Sequence, residues 1–131
     1  MAQDPPTDPA LETQGATDTT DVTTRFLTPA VAVVRPVGDI DTATAGPLRS
    51  TIQEQVAAGA QHVVLDLSGV DFMGSAGLAL LIAEREAAIA REGELRLAGV
   101  PRTAGRALSL TGLTELFDTY PDPDAAAADL R

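Results

Sequence analysis

The chain has 131 residues, enough for one domain with a core, and 44% of them are hydrophobic. Its formal net charge of −10 argues against binding to nucleic acid or to an anionic membrane surface, because both depend on Lys and Arg. The lack of cysteine excludes disulfides and cysteine-based metal sites, and no segment is apolar for long enough to span a membrane. With no basic leader before an apolar stretch, the sequence predicts a cytoplasmic protein.

Residues 1–24 differ in composition from the rest of the chain. They contain acidic residues, prolines and many threonines, and no basic residue. Because apolar periodicity is missing, this segment is predicted to be a disordered acidic tail, and residues 25–131 to be the folded domain. Such a tail either tunes the binding of a partner or is a solvated leader without a specific role.

Strands and helices alternate from Phe26 onward. Residues 31–34 predict a strand, and 35–40 continue it or form a second short one, with Pro36 at an edge or a bulge. Pro47 opens a helix that carries an apolar stripe at four-residue spacing and ends at Gly59.

The second half of the chain repeats this alternation. A buried strand at 62–67 leads through a tight loop into a helix from Ala76 to about Arg91. Next come a strand at 95–98 and a helix that begins at Pro101 and ends with a Gly112 cap. They are followed by a last strand at 116–120 and a final helix at 124–130, capped by Asp122 or Asp124. The pattern predicts an α/β fold, a mixed sheet of about four to five strands packed against about four helices.

The helix after Ala76 has two kinds of apolar position. One face, predicted to be buried, carries Leu78, Leu81, Ile82, Ala88 and Ile89. Leu80 falls nearly opposite, beside Glu84 and Arg91, and is therefore either a tolerated surface residue or a contact with a partner.

Ser75 lies where the strand and loop meet this helix, next to unpaired N–H groups and the positive end of the helix dipole. A phosphate or another oxyanion would be stabilised there, although a serine at this point is also a common helix cap. The strand-turn-helix setting resembles a nucleophile elbow only in part, because Met73 stands where Gly is required. The single histidine, His62, precedes Ser75 and is predicted to be a strand-end surface residue. These facts exclude a serine hydrolase.

No other catalytic or ligand-binding pattern is present. Asp39 and Asp41 alternate at a strand end without a partner histidine, so they do not form a metal site. The glycines at 69, 74 and 77 do not match the dinucleotide-binding fingerprint. The sequence therefore predicts a protein that is not an enzyme and needs neither a cofactor nor a metal.

Three stretches resemble the STAS-domain family, specifically the bacterial anti-sigma factor antagonists. They read VGDID at 37–41 with PLR at 47–49, VLDLSGVDFMGSAGL at 64–78, and LTGLTELF at 110–117. The middle stretch is the specific one, and the resemblance extends from about Phe26 to Leu130. It implies a STAS fold over residues 25–131.

The resemblance also implies a function in sigma factor regulation, such as a stress response. The unphosphorylated protein would bind an anti-sigma factor that is also a GHKL-type kinase, and the sigma factor would be released. Phosphorylation of Ser75 would break this complex, and a PP2C-type phosphatase would restore it. The implied partner-binding residues, with Leu80 added from its helix position, are Asp39, Asp41, Gly74, Ser75, Ala76, Gly77 and Leu80.

One position departs from the family pattern. The family usually has Asp directly before the phosphorylated serine, whereas this chain has Gly74. The missing carboxylate either weakens recognition by the kinase or indicates another class of partner. The alternative function is therefore a STAS accessory subunit of a lipid-transport ABC complex, which binds without phosphorylation.

Overall fold

The computed structural model describes residues 21–130, which form a mixed sheet with helices on both faces. The strands are β1 (Asp21–Thr28), β2 (Val31–Ile40), β3 (His62–Asp66), β4 (Gly69–Met73), β5 (Leu95–Ala98) and β6 (Thr119–Tyr120). The helices are α1 (Ala45–Ala57), α2 (Ser75–Ala90), α3 (Arg102–Leu110) and α4 (Pro123–Ala127), with a 3-10 turn at Thr114–Leu116. The predicted α/β class is confirmed, with six strands rather than four to five. None of the helices in this part of the chain is long and apolar enough to cross a membrane.

The sheet has the order β1-β2-β3-β5-β6, and β4 pairs separately with β2. Among the strands of residues 21–130, β1 alone runs antiparallel to its neighbour. The first half of β2 pairs with β3 as far as Val34, and its second half pairs with β4 from Val37 onward. Pro36 lies between these two pairings, where its missing N–H breaks no bond to β3 or β4.

Two clusters of apolar side chains fill the space on the two faces of the sheet. The larger one lies between the sheet and α1, α2 and α3, and includes Ile52, Leu81 and Leu108. The smaller one lies between the other face and the C-terminal segment that contains Ala126 and Leu130. Because β2 and β3 are covered on both faces, their paired central residues, 31–34 and 63–65, are all apolar, as expected for parallel strands in such a sheet.

Four residues that were predicted to belong to the tail are part of a strand. Residues 21–24 belong to β1, whose side chains are mostly exposed at the edge of the sheet. This polar strand carries no alternating apolar signal, which is why its composition resembled that of a tail. The rest of the predicted tail, 1–20, lies outside the described residues.

Three elements in the second half also differ from the predictions. The loop after β3 contains β4, which was not predicted. The last strand is only two residues long, and a 3-10 turn at Thr114–Leu116 overlaps the start of the predicted strand. The final helix ends at Ala127, and its cap is Asp122, whose Oδ1 accepts a hydrogen bond from the Ala125 N–H at 2.8 Å.

Helix α3 ends as predicted. Gly112 has a φ of 74°, a left-handed conformation that glycine adopts without a steric penalty. The N–H of Leu113 donates to the carbonyl of Leu108 at 2.8 Å, which is the hydrogen bond expected of this glycine cap.

The predicted buried face of α2 is partly wrong. Leu80 and Glu84 are buried, with exposed fractions of 5% and 2%, whereas Ile89 is 56% exposed. Helix α1 packs against α2, and Leu80 lies beside Ala45, Gly46 and Arg49 of α1, whereas Ile89 lies near the C-terminal end of α2. His62 is also buried rather than on the surface, and its Nδ1 accepts a hydrogen bond from the Glu94 N–H at 3.1 Å.

Candidate functional site

Ser75 is the first residue of α2, and Gly74 before it is the helix cap. The backbone N–H of Gly74 donates to the carbonyl of Ile40 at 2.9 Å, which fixes the start of α2 to the end of β2. Ser75 itself makes no capping hydrogen bond and is exposed. The interpretation of Ser75 as the N-cap is therefore wrong, and its hydroxyl is left available to a partner.

The first turn of α2 presents free hydrogen-bond donors around Ser75. The N–H groups of Gly77 and Leu78 both donate to the carbonyl of Gly74, at 3.0 and 3.1 Å. Among residues 21–130, no acceptor receives the backbone N–H of Ser75 or of Ala76. These groups and the helix dipole favour negative charge at this point.

Gly77 allows α2 to approach the strands closely. A Cβ atom at this position would lie 2.7 Å from Cγ of Met73 and 3.0 Å from Cγ2 of Ile40, both of which are buried core side chains. Only glycine therefore fits without a shift of the core. This close contact places the first turn of α2, which begins with Ser75, directly against the ends of β2 and β4.

The other predicted residues of this region form the turn after β2. Oδ1 of Asp41 accepts hydrogen bonds from the N–H groups of Ala43 and Thr44, at 3.0 and 3.2 Å. The Thr44 hydroxyl donates to the carbonyl of Asp39 at 2.8 Å. Asp41 thus shapes the turn that leads into α1, while the Asp39 side chain is exposed on β2.

A groove of about 370 Å³ runs between α1 and α2 and begins next to Ser75. Its walls are mostly small and apolar, and its lining residues are Ala45, Gly46, Arg49, Ala76, Ala79, Leu80 and Ala83. Leu80 is therefore part of the groove wall rather than a protruding surface residue.

Phe72 belongs to this region and was not identified from the sequence. Its side chain is 54% exposed, and Cε2 of its ring would lie 3.3 Å from a Cβ atom on Gly74. The sequence offered a weak signal, since three apolar residues among 70–73 cannot all face one side of a strand.

The described residues hold no group of three or more His, Asp or Glu side chains placed to bind a metal. The single histidine of the sequence, His62, lies at the start of β3, and its Nδ1 accepts a hydrogen bond from the Glu94 N–H. Ser75 thus has no imidazole beside it to act as a base, which excludes the serine-histidine arrangement of a hydrolase.

The sequence model of the STAS-domain family matches residues 24–126, which is most of the chain. The chain belongs to the STAS-domain family. The anti-sigma-F factor antagonist RsfB of Mycobacterium tuberculosis is 36% identical over 101 residues, which is 77% of this chain and 82% of RsfB.

Solved structures agree with this STAS assignment. An anti-sigma factor antagonist from Mycobacterium paratuberculosis is 35% identical, with a TM-score of 0.71 over 86% of this chain and 93% of the other. The Bacillus cell fate determinant SpoIIAA in its phosphorylated form has a TM-score of 0.68 over 85% of this chain and 100% of its own. At 18% identity this second likeness concerns the fold alone.

In this STAS domain the predicted partner-binding residues lie at one edge of the sheet, at the ends of β2 and β4 and on the first turns of α2. Ser75 and Asp39 are exposed, Asp41, Gly74 and Ala76 are half-buried, and Gly77 and Leu80 are buried. The buried members shape the site from beneath, while the exposed ones are accessible to another protein.

Proposed function

We propose that this STAS domain is an anti-sigma factor antagonist, a regulatory binding protein rather than an enzyme. Its unphosphorylated form binds an anti-sigma factor kinase of the GHKL type in the cytoplasm and thereby frees a sigma factor. The observation that carries the proposal is the exposed, unbonded hydroxyl of Ser75 at the start of α2. The names of the relatives from the two mycobacteria support the same role.

The switch in this proposal is the transfer of phosphate to Ser75. Oγ of Ser75 attacks the γ-phosphorus of ATP, the bond from this phosphorus to the bridging oxygen breaks, and ADP leaves. The hydroxyl proton passes to a base on the kinase, because Ser75 has no histidine beside it. A PP2C-type phosphatase reverses the modification by hydrolysis, which returns the hydroxyl and releases inorganic phosphate.

Phosphorylation acts on the complex rather than on the fold. A phosphoserine adds nearly two negative charges, which the free N–H groups of Ser75 and Ala76 tolerate in the separate protein. When a partner covers the same site, these charges must be desolvated or repelled. A penalty of about 3–4 kcal/mol weakens binding by roughly two to three decades.

The deciding experiment is phosphate transfer from candidate kinases. The purified protein is mixed with ATP and each GHKL-type kinase of the source organism, and the phosphate is mapped by mass spectrometry. Transfer should be lost in Ser75→Ala and kept in Ser68→Ala, a matched control because Ser68 is also exposed and precedes β4.

Two outcomes would contradict this proposal. Phosphate on another residue, or transfer that persists in Ser75→Ala, would refute the site. Stable co-purification with an ATPase and a permease would favour the alternative of an ABC-transport accessory subunit, provided that Ser75→Asp does not weaken this association.

A further inference from the structure

A β-bulge in β4 reverses the direction of its side chains just before Ser75. Val70 pairs with Gly38, but the next pair is Phe72 with Asp39, so Asp71 is an extra residue. Regular alternation from the buried Val70 would place Phe72 in the core. The bulge instead buries Met73 and leaves two consecutive residues, Asp71 and Phe72, on the surface.

The exposed Phe72 ring is continuous with the Ser75 site. It lies against the backbone of Gly74, where a Cβ atom would meet Cε2 of the ring at 3.3 Å. Asp39 is its register partner on β2 and is exposed as well, whereas the next pair, Ile40 and Met73, is buried. Phe72, Asp39 and Ser75 therefore lie on one surface.

Exposure of a phenylalanine by a bulge requires an explanation, because the same ring in the core would stabilise the fold. Bulges that re-aim a side chain are common beside functional sites, and aromatic residues are enriched at the centres of protein interfaces. Two exposed acidic residues neighbour Phe72: Asp71 precedes it on β4, and Asp39 is its register partner on β2. The chain also carries a net charge of −10. A partner for this surface would need an apolar pocket with basic side chains around it.

We infer that Phe72 is the aromatic anchor of the partner-binding surface, inserted into an apolar pocket of the anti-sigma factor that is rimmed by basic residues. The inference rests on the proposed function and identifies which side chain provides the affinity that phosphorylation of Ser75 then removes. The bulge at Asp71 is the structural device that makes this anchor available.

The test compares Phe72→Ala with Ile89→Ala. Ile89 is a matched control because it is 56% exposed, close to the 54% of Phe72, and lies 14 residues beyond Ser75 on α2, about 21 Å along the helix. Each purified anti-sigma factor of the source organism is titrated by calorimetry, and the one that binds the unmodified protein serves as the probe. Phe72→Ala should weaken its binding at least about tenfold, and Ile89→Ala by less than about twofold.

Two further measurements keep a misfolded variant from imitating this result. The melting temperature of Phe72→Ala should fall by only a few degrees, because about half of this side chain is exposed, and Phe72→Leu should recover part of the lost affinity. If Phe72→Ala binds the anti-sigma factor as tightly as the unmodified protein does, while Ser75→Asp does not bind it, Phe72 is not the anchor. The proposed function would remain intact. If no anti-sigma factor binds the unmodified protein, the proposed function fails and the anchor fails with it. A change of the protein alone from dimer to monomer in Phe72→Ala would assign the surface to a second copy and overturn the inference.

Discussion

Nε of Arg49 on α1 donates to Oε2 of Glu84 on α2 at 3.1 Å, although Glu84 is only 2% exposed. A buried carboxylate is costly unless it is paired and hydrogen-bonded. Because Arg49 also lines the groove beside Ser75, this pair joins the two helices that form the groove.

Removal of the Arg49 guanidinium should therefore destabilise the fold. We expect Arg49→Met to lower the free energy of unfolding by about 1–3 kcal/mol, less than for a fully buried pair because Arg49 is half exposed. Urea denaturation measures this change, with Arg106→Met on the exposed face of α3 as the control. Equal losses in the two variants would show that Glu84 does not depend on Arg49.

The close approach at Gly77 gives a second prediction. Gly77→Ala places a methyl group 2.7 Å from Cγ of Met73, so it should cost about 1–3 kcal/mol of unfolding free energy and displace the start of α2. Gly46→Ala is the control, because nothing lies within 4 Å of its Cβ position on α1. That change should be neutral or stabilise by up to about 1 kcal/mol. Thermal denaturation distinguishes the two, and a neutral Gly77→Ala would contradict the steric account.

A carboxylate at position 74 should restore the usual family pattern. Gly74→Asp and Gly74→Asn cap α2 equally well, so their stabilities should agree within about 0.5 kcal/mol after the Phe72 ring has shifted slightly. Only the Asp variant adds charge beside Ser75. If the kinase recognises that charge, phosphate transfer to Ser75 should be faster in Gly74→Asp than in Gly74→Asn. Equal rates would show that the kinase does not recognise the carboxylate.

Arg96 gives a prediction about pH. Its Nη1 donates to Asp129 at 2.6 Å and to the carbonyl of Ala126 at 3.0 Å, and its guanidinium lies 5.4 Å from the centre of the Tyr120 ring. The hydrogen bond to Asp129 raises the pKa of Arg96 above its ordinary value. A raised pKa gives stability that is complete below the pKa of the unfolded chain and is lost only as the pH rises through the higher folded value.

Across pH 6 to 10, therefore, the contribution of Arg96 should stay constant. We expect Arg96→Met to lower the unfolding free energy by about 1–3 kcal/mol at every pH in this range, since it leaves the buried carbonyl of Ala126 unpaired. The exposed Arg25→Met on β1 should cost far less. Melting curves at several pH values test this, and a loss that grows or shrinks with pH would contradict it.

Most of the fold was predictable because its strands and helices carry strong apolar patterns. The buried run of β3 and the glycine cap of α3 are local signals, and both were interpreted correctly. β1 was missed because an edge strand with exposed side chains needs no apolar alternation. β4 was missed because its bulge at Asp71 disrupts the period of two.

The position of Ser75 at the start of α2 was predictable, but the surroundings of this residue were not. Ser75 follows from the strand, the glycines and the start of a helix, all of which are adjacent in sequence. The burial of Leu80 and Glu84 depends on α1, which is distant in sequence and covers that flank only after folding. The exposure of Phe72 depends on its register with β2, which no single segment encodes.

The affinity for the anti-sigma factor before and after phosphorylation of Ser75 tests the central claim most directly. Isothermal titration with unmodified protein and with protein that carries one phosphate on Ser75 gives both dissociation constants. We predict binding by the unmodified protein and an affinity roughly 100- to 1,000-fold lower after phosphorylation, with no change in melting temperature that would indicate unfolding. Equal affinities for the two forms would contradict a phosphate-controlled switch at Ser75.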